Sequence, residues 1–161
     1  MNLKKAILNW VLAYAIVTLL CYASTGIVGA LLNLETAEDL GVGVFQDPAI
    51  LLTVPYHILI NLLTWSGFGF LYLRKVGNRQ ATAIGALKLG TFWLGVSLVF
   101  DLFAFVIIKH PFSMTFQEFY VDYQPWIGLT YLTVIGGPLA AYLLFKVALR
   151  LDAFKKAHMG V

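Results

Sequence analysis

Four apolar runs, residues 6–33, 48–73, 82–108 and 125–149, occupy nearly the whole 161-residue chain. Each is longer than the roughly 20 residues a helix needs to cross the hydrocarbon core of a bilayer. Backbone polar groups in lipid must be satisfied internally, and a helix does this within one segment. With 60% hydrophobic and 12% charged residues, the composition falls outside that of a soluble domain. The expected fold is an all-α, four-span transmembrane helix bundle. It forms one domain over residues 1–161, with short connections that leave no room for a soluble domain or a linker.

Lys4 and Lys5 ahead of an apolar stretch could be mistaken for a secretory signal. The apolar character runs on to Leu34, well past the 7–15 residues of a signal core. Leu20 before Cys21 also departs from the small residue that lipoprotein processing requires. An uncleaved first span is expected.

The bases fix the orientation. Lys4, Lys5, Arg74, Lys75, Arg79, Lys88, Lys146, Arg150, Lys155 and Lys156 fall on one side, leaving Lys109 as the exception among eleven. The first connection carries Glu35, Glu38, Asp39 and Asp47 with no base; the third carries Glu118 and Asp122. By the positive-inside rule both termini face the cytoplasm (N-in/C-in) and the acidic connections face outward. A multi-pass protein in the plasma membrane of a prokaryote is the expected setting. The net charge of +3 is thereby topogenic and implies no nucleic-acid partner; the bases can touch anionic lipid. Lys88 and Lys146 are expected to snorkel to the headgroups.

Asp47-Pro48 reads as an N-cap followed by proline in the first helical turn, and Gln124-Pro125-Trp126 as a weaker version of the same start. Val76-Gly77-Asn78-Arg79 reads as a tight turn making spans two and three an antiparallel hairpin. Between spans three and four, Thr115-x-x-Glu118 fits a capping box. Phe116, Phe119, Tyr120 and Tyr123 then recur at helical spacing, opposite Glu118 and Asp122. This predicts a short amphipathic external helix within residues 113–123, either an interfacial anchor or a lid over the bundle mouth.

Helices in lipid approach closely through small residues. Gly26-x-x-x-Ala30, Gly136-x-x-x-Ala140, Gly137-x-x-x-Ala141, and Gly85, Gly90 and Gly95 supply them. Packing within the chain has first claim on these positions; a homo-oligomer or a larger membrane complex is the further option. Pro55 and Pro138 fall inside spans, where each frees a carbonyl.

Asp101 is the one acid inside a span. An ionised carboxylate at such depth costs about 2.5–3.5 kcal/mol, so it faces a partner or a cavity rather than lipid. At 1.5 Å per residue it lies about 12 Å below Lys109, and His57 lies about 14 Å below Pro48. Asn61 shares a face with His57 one turn deeper, while Ser24, Thr25, Thr130 and Thr133 reach comparable levels. A polar layer just outside the midplane is where small transporters bind substrate. The expected ligand or ion site is therefore Asp101, His57, Asn61, Thr133 and Ser24, with Asp101 within reach of His57, directly or through one water. The plainer alternatives are that His57 is a satisfied core residue and that Ser and Thr bond their own carbonyls.

One cysteine, Cys21, excludes an internal disulfide, and His57, His110 and His158 lie too far apart in depth for a metal or bis-His haem. No catalytic residue is assigned and no cofactor is expected, since neither a nucleophile elbow nor a phosphate loop is present. Size and topology resemble those of several families of small four-span carriers and accessory subunits, with no shared motif. Two functions follow: a carrier or ligand-binding protein with an outward-facing polar site, or an accessory or structural subunit whose polar layer only locks helix register.

Overall fold

The computed structural model of the chain describes residues 1–76, 81–110 and 113–159. The turn expected at Gly77, Asn78 and Arg79 falls outside these residues, as do the side chains of Lys155, Lys156 and His158. The described residues form an all-α bundle of helices α1 (Leu3–Leu32), α2 (Ala37–Leu40), α3 (Pro48–Val76), α4 (Ala83–Asp101) and α5 (Trp126–Met159). The segments Leu3–Leu32, Pro48–Lys75, Ala83–Ile107 and Trp126–Leu151 are each long and apolar enough to cross a membrane. They agree with the four apolar runs to within a few residues. Leu19, Ile27, Leu63, Leu132 and Leu143 lie exposed on the outside of the bundle, where a bilayer would cover them.

Capping sets the helix ends. The Asn2 side chain accepts from the Lys5 amide, and Thr82 Oγ1 accepts from the Gly85 amide. Asp47 does two jobs: Oδ1 accepts from Ala49 and Ile50 at the start of α3, and Oδ2 accepts from the Ala37 amide of α2. The acidic connection is thereby tied to the helix that follows it. Gln124 turns its side-chain amide back to donate to the Tyr120 carbonyl. The first amides of α5, Trp126 and Ile127, go to the Tyr123 carbonyl.

Laterally the spans run in the order α1, α3, α5, α4, with α5 packed along both α3 and α4. The second and third spans, expected as a hairpin, are antiparallel but their backbones are held apart by α5, and they meet through the rings of Trp65 and Trp93. Glycines permit the insertion. A Cβ built on Gly137 would lie 2.5 Å from Trp65 Cβ, and one on Gly90 would lie 2.8 Å from the Ile135 oxygen. On Gly69 it would meet Pro138 Cα at 3.0 Å. Gly26, Gly95 and Gly136 meet nothing within 4 Å, so the close approaches that set the bundle spacing are those at Gly137, Gly90 and Gly69.

α1 and α4 meet through large side chains more than through close backbones. Trp93 Nε1 donates to the Ala6 carbonyl at 2.9 Å, and Trp10 Nε1 donates to Ser97 Oγ at 2.9 Å. Trp65 and Trp93 pack at 5.4 Å between ring centroids. These rings, with Ala6, Ala13, Leu89, Tyr72, Leu73, Ala141 and Phe145, form an apolar core in the half of the bundle nearest the termini. At its edge Lys146 Nζ lies 5.7 Å from the centre of the Tyr142 ring, an arrangement in which a cation can favour the ring face.

Candidate ligand-binding cavity

The other half of the bundle is not filled. A cavity of about 830 Å³ runs from the acidic connection, at Glu38, Val42 and Phe45, inward to Trp65 and Ser97. Asp101, His57 and Asn61 line it; Ser24 and Thr133 do not.

Asp101 stands at the last residue of α4 and is 6% exposed. Its partners are phenols from two other spans. Tyr14 of α1 donates to Oδ1 at 2.5 Å, and Tyr131 of α5 donates to Oδ2 at 2.7 Å. Both lengths fall in the range of O–H donors on a charged oxygen. The carboxylate thus joins three helices. Tyr14 is braced in turn by Trp10 and Phe100, at ring centroid distances of 5.2 and 4.9 Å.

His57 belongs to a separate hydroxyl network between α1 and α3. Its Nε2 lies 3.1 Å from Thr25 Oγ1 and 3.2 Å from Ser24 Oγ. Ser24 gives its own proton to the Cys21 carbonyl, so toward His57 it accepts, and the network assigns the Nε2–H tautomer. Thr25 lies 3.1 Å from Thr53 Oγ1, which donates to the Ala49 carbonyl. Asn61 stands one turn deeper. Its amide donates to the His57 carbonyl, and its oxygen accepts from Trp65 Nε1 at 3.1 Å.

The expected approach of Asp101 to His57 is not made as a direct bond. Both side chains face one cavity, but among the described residues each is satisfied by other partners and neither bonds the other. Depth had matched the two residues; helix rotation and the insertion of α5 gave Asp101 to the phenols. Thr133 is turned to its own helix, where its hydroxyl donates to the Thr130 carbonyl at 2.6 Å.

Immediately after Asp101 the helix widens into π geometry over Leu102–Ile107. The altered winding brings Phe105 to the cavity wall, stacked 5.4 Å from Phe119. Backbone groups here find partners beyond the helix: the Phe105 carbonyl accepts from the Met114 amide. π segments recur at functional sites, where they redirect side chains.

Thr115 and Glu118 exchange the two bonds of a capping box, and helical winding follows through Asp122, becoming π over Glu118–Asp122. The four aromatics of this segment divide. Phe119 is buried and Tyr123 stacks on Phe45 at 3.6 Å, both at the cavity wall. Tyr120 is half-buried, its hydroxyl 3.4 Å from the Leu98 carbonyl, while Phe116 remains exposed. Burial pushes the Tyr123 phenol up to about 12, so it stays neutral. Glu118 is held below its ordinary value by the Thr115 amide and hydroxyl.

Tyr14 and Tyr131 are the site residues that sequence reasoning missed. A tyrosine within an apolar run counts as apolar surface, which hides its hydroxyl. A signal was present nonetheless: Tyr131 lies six residues past Pro125, about 9 Å down and near the depth of Asp101.

Among the described residues, no three His, Cys, Asp or Glu side chains converge as a metal site. The arrangement suits binding: a large, mostly apolar space with one buried carboxylate and a few hydroxyls to orient an occupant. Compared with known proteins, the chain matches no family model, no curated protein and no solved structure.

Proposed function

We propose that this chain is a small-molecule-binding membrane protein, of the carrier or receptor kind, whose site is the cavity between the acidic connection and Asp101. One observation carries the reading: a space of about 830 Å³ reaching a buried carboxylate. Ligand sites span about 300–1,000 Å³ and combine apolar walls with a few placed polar groups. A subunit that used its polar layer only to lock helices would have no need for such a space. Under the positive-inside rule the mouth opens away from the cytoplasm, in line with uptake or sensing of an external solute. An amphiphile fits better than a sugar, since Phe45, Phe105, Phe119, Ile127 and Val134 face the space.

Cys21 lines the cavity and is the chain's one thiol, so it serves as a built-in reporter. The test measures alkylation of Cys21 by N-ethylmaleimide in mild detergent, against decylamine, decanoate and decanol. At least one amphiphile should slow the reaction saturably. Thr130→Trp, which places an indole in the cavity, should remove that protection while leaving the thermal midpoint close to wild type. Alkylation that no amphiphile slows, or protection unchanged in Thr130→Trp, would leave the accessory-subunit reading in front.

A further inference from the structure

We infer that the cavity selects an organic cation, held by the Asp101 carboxylate and by the faces of the surrounding aromatic rings. This rests on the binding function proposed above and names the chemical class of its ligand.

The charges point one way. The chain has eleven lysines and arginines against eight acids, yet the described residues lining the cavity include Glu38, Asp47 and Asp101 and no lysine or arginine. Glu38 and Asp47 stand toward the mouth and Asp101 within the bundle, so an entering cation meets favourable charge from the surface inward. An anion would meet like charge at each of those points.

Chemistry at Asp101 agrees. Each carboxyl oxygen has one phenol within hydrogen-bonding distance, an arrangement that the ionised form satisfies with both phenols donating. Each oxygen keeps acceptor capacity beyond the one phenol it holds. Among the described residues no basic side chain bonds the carboxylate, and His57, the imidazole in the same cavity, is committed to Ser24 and Thr25. A cationic ligand is the partner that balances this charge; a neutral one leaves it buried and uncompensated.

The walls decide between an organic and an inorganic ion. Phe45, Phe105, Phe119, Tyr123 and Tyr131 surround the space. Aromatic faces attract an organic ammonium, and the attraction strengthens where water is excluded. Hard inorganic cations such as Ca²⁺ want about six or more oxygen ligands, for which one carboxylate and two phenols are too few.

Two ions of the same shape and opposite charge supply the test: tetraphenylphosphonium and tetraphenylborate, each titrated as a protector of Cys21 from N-ethylmaleimide. Tetraphenylphosphonium should protect the unaltered protein saturably, and tetraphenylborate should not. Asp101→Asn should weaken the cation's protection by roughly thirtyfold or more, as when one partner of a buried charge pair is removed. Asp101→Glu should retain the preference. Comparing the two ions on the same protein, and their ratio between wild type and variant, cancels differences in partition into the micelle. The unaltered protein alone decides the matter if Asp101→Asn fails to fold. Equal protection by both ions, or preference for the borate, overturns the cation assignment while the binding function stands. Protection that survives in a folded Asp101→Asn also overturns it. A Cys21 that no amphiphile and neither ion protects overturns both.

Discussion

Gly136 and Gly137 are neighbours in α5 and should respond oppositely to the same added methyl group. A Cβ at Gly137 would stand 2.5 Å from Trp65 Cβ and 2.8 Å from the Trp65 carbonyl carbon; at Gly136 it meets nothing within 4 Å. Carbon atoms rest about 3.5–4.0 Å apart, so α3 and α5 must separate by about 1 Å to admit the methyl. The obstacle is backbone and Cβ, which cannot swing aside as the tip of a side chain would. Overpacking of this kind costs about 1–3 kcal/mol. The close approach of Gly69 to Pro138, one turn along the same seam, argues for the upper part of that range. Alanine in place of glycine also returns about 0.8–1.0 kcal/mol of helix propensity. The net expectation for Gly137→Ala is a loss of about 1–2 kcal/mol. Gly136→Ala should be neutral or gain up to about 1 kcal/mol. Reversible unfolding in mixed micelles with increasing dodecyl sulfate, followed by tryptophan emission, measures both. Trp65 is 1% exposed and bonded to Asn61, so its emission also reports local separation of α3 from α5 in the folded state. Equal effects at the two positions, or a stable Gly137→Ala with unshifted emission, would refute the account of how α5 is seated.

Three further outcomes are expected. Tyr14→Phe should destabilise the fold by about 1.5–3 kcal/mol, the worth of a hydrogen bond to a charged group, and much less in an Asp101→Asn background; a double-mutant cycle showing no coupling removes the phenol–carboxylate link. In a Cys21→Ala background, cysteines at Glu38 and Gln117 should be labelled by an impermeant maleimide on intact cells and one at Arg74 only after permeabilisation, and the reverse pattern overturns the orientation. The Asp39 carboxyl is held below its ordinary 3.8 chiefly by the Thr36 hydroxyl, and Glu118 below its ordinary 4.5 chiefly by the Thr115 amide. Folded values that are depressed contribute order above those pH values and lose it as pH falls through the folded ones. Amide exchange in residues 37–40 and 116–122, corrected for intrinsic rates, should therefore accelerate on acidification, and Asp39→Asn and Glu118→Gln, which remove the titrating carboxyls, should abolish that acceleration in their own segments.

Sequence alone determined the spans, because a backbone in lipid must satisfy itself and only long apolar helices do so here. It also put Asp101 and His57 at matching depths, since rise per residue is fixed. The inward side for Asp101 followed as well, from the cost of presenting a carboxylate to lipid. Rotation about each helix axis was not written there. A span that is apolar all round carries no sided pattern to say which face meets which neighbour, and in lipid no hydrophobic drive sorts the faces. Only the tertiary structure decided that α5 lies between α3 and α4, through Gly137 against Trp65 and Gly90 against Ile135. That placement brings Tyr131 to Asp101 from one side while Tyr14 reaches it from the other, and His57 is left to Ser24 and Thr25. The cavity is likewise tertiary: it exists because tryptophans pack one half of the bundle tightly and the other half is left unfilled.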